Sequence, residues 1–218
     1  MVIGRRVMFR FMPLIIGVVV TLGCSSIQIN DLAEAPRFEQ TPAILNQADQ
    51  EWFQLARQIF FVDGQGKRWA APQGVRTDGA SIPTIFVPII GSKTNQSYLN
   101  AAVVHDAYCG RGNEEINLFQ SEPWEEVHKM FYQAMVAGGT HPIKAKIMYA
   151  AVYLGGPRWQ DPERDVSQVP EEDLIQELKW CIQLVEEQGA TFEELEQWMR
   201  GRESNLISGD ITKPDWVN

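Results

Sequence analysis

The sequence predicts an α+β fold that is predominantly helical: an N-terminal β-hairpin, then a small helical bundle, then an α-helical C-terminal extension. Three observations predict it. Residues 52–62 end in the apolar, β-favouring run Ile59-Phe60-Phe61-Val62, and the turn signal Asp63-Gly64-Gln65-Gly66 lets residues 67–71 return as a second strand. Beyond the hairpin, apolar residues recur at spacings of three and four inside segments bounded by proline and glycine. After Asp161-Pro162-Glu163-Arg164-Asp165 the chain carries two further amphipathic stretches, both acidic.

In chain order, Pro72-Gln73-Gly74 closes the hairpin. Asp78 or Ser81 can then cap a short helix with Pro83 in its first turn, and Pro88 and Gly91 interrupt the apolar run that follows. Residues 97–109 read as a buried helix stopped by Gly110 and Gly112. A second helix, about 121–137, has Pro123 in its first turn, an apolar face of Trp124, Val127, Phe131 and Met135, and a stop at Gly138-Gly139. A third, about 142–154, repeats the period through Ile143, Ile147, Ala150 and Ala151 and ends at Gly155-Gly156-Pro157. Residues 171–187 form the first helix of the extension. Thr191 opens the second with a capping box to Glu194.

The organisation expected is a lipoprotein signal peptide over 1–23, a tether over 24–50, a core domain over 51–160 and the acidic extension over 161–218. A chain of 218 residues with 44% hydrophobic content suits one domain with extensions. Arg5, Arg6 and Arg10 precede an apolar stretch, residues 11–22, shorter than the ~20 residues a bilayer span requires. It ends in Thr21-Leu22-Gly23-Cys24-Ser25-Ser26, which resembles a bacterial lipoprotein box; that resemblance implies cleavage before Cys24 and acylation of its thiol. Two or three acyl chains anchor stably where one is marginal. Ser25, in place of Asp, points to the outer membrane, with the domain on the periplasmic side. The formal charge of −9, about −12 once the three arginines are removed with the signal, excludes a nucleic-acid binder, because phosphate recognition depends on clustered Lys and Arg. Cys109 and Cys181 are then the remaining cysteines, and an oxidising compartment would permit them to pair.

Chemistry is expected where ionisable residues interrupt the apolar run Ala101-Ala102-Val103-Val104-His105-Asp106-Ala107-Tyr108-Cys109. On a helix, Asp106 points about 100° away from His105, while Cys109 shares the histidine's face. His128 lies on the second helix, and antiparallel packing would bring it to His105, with Asp78 on the preceding loop able to close the group. Three readings stand. His105, His128 and Asp78 bind a divalent metal; His105 is a general base oriented by Asp78 or Asp106; or Cys109 is a nucleophile assisted by a histidine, although a helix C-terminus does not lower a thiol's pKa. Against all three stands a structural role, in which Asp106 caps a turn, His105 ties the Asp78 loop to the helix and Ser81 only caps. His-Asp followed by Tyr108 and Cys109 also looks like the active-site helix of secreted phospholipases A2, without that family's calcium loop or its dense cysteines.

The strings Pro72-x-Gly74-Val75-x-Thr77-Asp78-Gly79-Ala80-Ser81-Ile82-Pro83, Ala101 to Asp106, Phe131-x-x-Ala134-Met135 and Lys144-Ala145-Lys146-x-Met148-Tyr149-x-Ala151-Val152 together resemble domain of unknown function family 1353, found in tailed phages and Gram-negative bacteria. The resemblance covers about residues 52–159 and implies that Asp78, Ser81, His105 and Asp106 occupy its motif positions. Cys109 stands where the family has Tyr, and His128 where an acidic residue is usual; both changes add potential ligands. The expected function is hydrolysis of an envelope component, phospholipid or peptidoglycan, with His105, Asp106 and Asp78 catalytic and Ser81, Cys109 and His128 contributing. The rival is a non-catalytic envelope or phage-derived protein.

Overall fold

Two small antiparallel sheets precede the helices. In the computed structural model the described residues are 35–40, 43, 45–48, 52–80, 82–91 and 95–217. The signal segment, Cys24 and Ser81 lie outside them. The strands are β1 (Arg37–Phe38), β2 (Leu45–Gln47), β3 (Phe53–Leu55), β4 (Ile59–Val62), β5 (Arg68–Ala71) and β6 (Arg76–Thr77), in the orders β1-β4-β5 and β2-β3-β6. A 3₁₀ turn (Thr84–Phe86) leads into α1 (Val87–Ile90); then follow α2 (Gln96–Cys109), α3 (Trp124–Ala137), α4 (Pro142–Gly155), a second 3₁₀ turn (Pro162–Arg164), α5 (Glu171–Glu186) and α6 (Phe192–Ser208). About half the chain is helical, and the fold is α+β.

The β4–β5 hairpin forms in the expected register, Phe61 opposite Trp69. Asp63 sets its turn: one carboxylate oxygen accepts the backbone N–H groups of Gln65 (2.9 Å) and Lys67 (2.8 Å), and the other accepts the Trp69 indole N–H (2.8 Å). Period-2 alternation buries Ile59, Phe61, Trp69 and Ala71 on one face.

Two features of this region differ from the sequence reading. Residues 52–62 are two strands in different sheets, because after the turn at Pro72-Gln73-Gly74 the chain crosses to pair with β3, through Leu55 N–H to the Val75 carbonyl (2.8 Å) and Gly74 N–H to the Leu55 carbonyl (2.8 Å). The stretch expected to be a tether contains β1 and β2, which add to β4 and β3. Strands of two and three residues carry no period for a sequence to display, and only the partner strand's free edge selects them.

The helix α2 is buried on every side from Ala101 to Cys109, apolar all round except for His105 and Asp106. Asn95 caps it by accepting the Ser97 N–H (2.9 Å), and it packs on α3 and on β5 and β6. Pro123 stands at the N-cap of α3 rather than inside its first turn, and Pro142 opens α4, positions where a missing N–H costs nothing. Pro88 likewise sits in the first turn of α1 and does not break it.

The two helices of the extension dock on α4. The Thr191–Glu194 capping box is formed. These helices are acidic on their outer faces, but Glu177 and Glu203 are buried against arginines: Arg202 donates from Nε and Nη2 to the two carboxylate oxygens of Glu177, each at 3.0 Å, and Glu203 receives Arg158, Arg164 (2.8 Å) and the Tyr153 hydroxyl (2.9 Å). All described residues lie in one compact unit within 33–218. Cys109 and Cys181 are both buried free thiols. Among the described residues no helix is long and apolar enough to cross a membrane.

Candidate functional site

α2 and α3 cross so that His105 and His128 meet, Nε2 of the first 2.9 Å from Nδ1 of the second. Both imidazoles are fully buried. Cys109, one turn after His105 on the same helix face, places its Sγ 3.5 Å from His105 Nε2 and 3.6 Å from Nδ1. Among the described residues, His105, Cys109 and His128 are the histidine, cysteine and carboxylate side chains whose ligand atoms converge, all within 4.8 Å of one another. Of the expected donors His105, His128 and Asp78, the structure brings the two histidines together, and Asp78 is not in this group.

The group is held by its surroundings. His128 Nε2 donates to the Pro157 carbonyl (3.1 Å), which can only accept, so the proton of the neutral ring sits on Nε2 and Nδ1 offers a lone pair. The His105 ring lies 4.7 Å from that of Phe131, and Trp124 and Trp159 stand edge-on to His128. Burial, reinforced by the neighbouring His105, pushes His128 well below the usual imidazole range and keeps it neutral. Burial, with the Asp106 charge added, pushes the Cys109 thiol well up. A protonated thiol at a helix C-terminus is a poor nucleophile, so the geometry does not favour the Cys109 nucleophile reading.

Next to this group lies a cavity of about 360 Å³ whose wall includes Trp52, Asp78, Asp106, Cys109, Arg111 and Pro157. Asp78 and Asp106 therefore both line one space, and Asp106 Oδ1 is 3.8 Å from His105 Nδ1. His105 and His128 stand behind the wall, so His105 does not meet a bound molecule directly. The loop carrying Asp78 is shaped by Thr77, whose hydroxyl accepts the Gly79 N–H (3.0 Å) and donates to the Gly79 carbonyl (3.1 Å). Gly79 has φ of 106°, a conformation that excludes most side chains, which is the physical content of the Thr-Asp-Gly string.

Four residues beyond the sequence candidates contribute. Asn113, buried in the Gly110-Arg111-Gly112-Asn113 turn, accepts the Arg76 N–H (2.8 Å) and donates to the Arg76 carbonyl (2.8 Å) and the Asp106 carbonyl (2.9 Å), so one amide ties β6, the turn and the end of α2 together. Arg111 and Arg76 lie 5.4 and 4.9 Å from the Trp52 ring, and Arg111 puts positive charge on the cavity wall. Pro157 supplies the carbonyl that orients His128. The turn's two glycines around a charged residue were the available signal for the first two; nothing local marks Pro157.

Fold and site thus define an α+β domain with a buried nitrogen and sulfur donor group beside a carboxylate-lined cavity. Residues 53–152, which carry the whole donor group, match the family model described as "Protein of unknown function (DUF1353)". The chain is 41% identical over 99 residues to the uncharacterized protein y4iH of Sinorhizobium fredii (strain NBRC 101917 / NGR234), covering 45% of this chain and 38% of that protein. It is 40% identical over 107 residues to the uncharacterized protein y4jT of the same organism, covering 49% of this chain and 30% of that one. The chain therefore spans about a third of the length of these relatives. No solved structure matches it.

Proposed function

We propose that this protein hydrolyses an envelope component, peptidoglycan or phospholipid, while held by acyl chains on Cys24 at the periplasmic face of the outer membrane. The observation that carries the reading is the cavity itself: two acidic residues, Asp78 and Asp106, line one space of about 360 Å³, whose wall Cys109 of the buried His105–Cys109–His128 group also reaches. A cavity of that size takes a sugar residue, a short peptide or a lipid headgroup. Either carboxylate can accept a proton from an attacking water, and Arg111 on the wall can stabilise the oxyanion that forms. His105 acts from behind the wall as a positioning residue for Asp106. Membrane attachment rests on the resemblance of the segment ending at Cys24 to a lipoprotein box.

The test uses the full chain in detergent micelles, incubated separately with purified sacculi and with phospholipid vesicles. Release of muropeptides, or of lysolipid or headgroup, is expected, with Asp106→Asn slower by about 10²-fold or more in a chain that keeps its circular dichroism spectrum. Turnover of neither substrate sinks the reading. The complete burial of both imidazoles favours the rival, a non-catalytic envelope or phage-derived protein in which the group is structural, and that rival predicts no turnover. Anchoring is tested apart: labelled palmitate should enter the parent and not Cys24→Ala.

A further inference from the structure

We infer that Nε2 of His105, Nδ1 of His128 and Sγ of Cys109 form a binding site for a zinc-type divalent cation. The sequence pointed toward a metal but to a different donor set. The tertiary structure brings the Cys109 thiol, and not the Asp78 carboxylate, to the two imidazoles.

Spacing comes first. A tetrahedral ion with bonds of about 2.0–2.1 Å to nitrogen and about 2.3 Å to sulfur needs its ligand atoms roughly 3.3 Å apart for two nitrogens and roughly 3.6 Å apart for nitrogen and sulfur. Cys109 Sγ and His105 Nε2 are 3.5 Å apart. The two imidazole nitrogens are 2.9 Å apart, a hydrogen-bond distance, and must open by roughly half an ångström, within reach of small rotations of two rings. Two ligands come from one helix at i and i+4, the same spacing that places paired histidines of H-E-x-x-H sites on one face. The third comes from the helix packed against it.

Orientation comes second. The Pro157 carbonyl fixes the proton of His128 on Nε2 and leaves Nδ1 as a donor atom directed at the group. His105 Nδ1 faces the Asp106 carboxylate at 3.8 Å, so the ring can carry its proton there and present Nε2. The Pro157 carbonyl behind His128 is the outer-shell partner that metal-binding histidines need, and Asp106 has only to close from 3.8 Å to hydrogen-bond distance to serve His105 in the same way. On binding, the Cys109 thiol proton passes to solvent, and His105 keeps one proton, moved to Nδ1. The bound unit then carries one thiolate against a dication.

Selectivity follows from the donors. One thiolate and two imidazoles suit zinc and exclude calcium and magnesium, which take oxygen ligands. Three protein ligands leave a fourth position, and Cys109 is the ligand that reaches the cavity wall. Cation binding stands on these distances alone; its use in catalysis rests on the hydrolase reading.

The experiment takes the untagged full-length chain in detergent, strips it with a chelator, returns Zn²⁺ alone and measures metal per chain by mass spectrometry. A single zinc per chain is expected. Cys109→Ser and His128→Gln should each weaken it by about tenfold or more, and Asp78→Asn should leave it unchanged. Co²⁺ in place of Zn²⁺ should give the parent a thiolate-to-cobalt absorption band that Cys109→Ser lacks. Should His128→Gln unfold, the cobalt spectrum of the parent decides. A parent that retains no zinc, or a Cys109→Ser chain that binds it as the parent does, overturns the site. Zinc bound without turnover of sacculi or vesicles supports the site and removes the hydrolase reading. Undiminished turnover by a chain that retains no zinc overturns the site and leaves that reading intact.

Discussion

Asn113 shows how much a single amide can hold. Its three hydrogen bonds reach the backbone N–H and carbonyl of Arg76 and the carbonyl of Asp106, and the Asn113 side chain that makes them is buried although Arg111 and Gly112 beside it are exposed. Asn113→Ala should cost about 1–3 kcal/mol, read as a lower urea midpoint with unchanged slope, since the partly buried Arg76 N–H and carbonyl both lose this partner. Histidine and cysteine were visible as candidates in the sequence, but Asn113 was not, because nothing in a single string says that a polar residue in a glycine-rich turn faces inward. Gly110 is constrained in another way. A Cβ built there would lie 2.5 Å from that of Asp106, closer than real side chains approach. Gly110→Ala should therefore displace Asp106, at a cost of about 1–3 kcal/mol in chemical denaturation from overpacking. If the hydrolase reading holds, turnover should fall further than stability.

At the scale of elements, the helices follow local chemistry and the strands follow their partners. Pro123, Pro142 and the Thr191–Glu194 box mark helix starts that proline geometry and side-chain capping dictate without help from the rest of the fold. Thr191→Ala should cost about 1 kcal/mol, measured by thermal or urea unfolding, because the Glu194 N–H loses its acceptor. In β1, β2 and β6 the residues hold no comparable signal. Each is two or three residues long, and each exists because β3 or β4 offers an unpaired edge. Residues 52–62 read as leading into one strand because they end in the β-favouring run Ile59-Phe60-Phe61-Val62. The bend at Ala56-Arg57 that sends β3 and β4 into different sheets is imposed by the pairing of β3 with β6.

Across the whole molecule, a charged network ties the C-terminal helices to the core. Glu203 on α6 meets Arg158 and Arg164 from the segment after α4 and the Tyr153 hydroxyl on α4, and Arg164 also reaches Glu125 on α3 at 3.0 Å. Burial would raise the Glu203 carboxyl, but hydrogen bonding from Arg164, the Arg158 charge and the Tyr153 hydroxyl outweigh it and hold it below the usual carboxylate range. A carboxyl whose folded pKa is depressed contributes stability above its unfolded value, about 4.3 for Glu, and that contribution is lost as pH falls through the folded value. Urea denaturation of the parent and of Glu203→Gln should therefore differ most at neutral pH and converge at the acid end. At pH 7 the loss should be about 3–5 kcal/mol, because the Arg158 guanidinium stays buried without its counter-charge. A gap that does not narrow in acid would show that Glu203 acts by packing and not by charge.

The sequence by itself determined the fold class, the helices with their boundaries to within a few residues, the β4–β5 hairpin and the run that holds His105, Asp106 and Cys109, because periodicity, capping and turn chemistry are local. Only the tertiary structure decided which of those side chains meet. The crossing of α2 and α3 brings His128 to His105 and Cys109, the Thr77–Gly79 turn sets Asp78 on the cavity wall outside that group, and the Pro157 carbonyl, 29 residues beyond His128 in the chain, fixes which imidazole nitrogen faces inward. Each is a contact between segments whose separation along the chain carries no record of their distance in space.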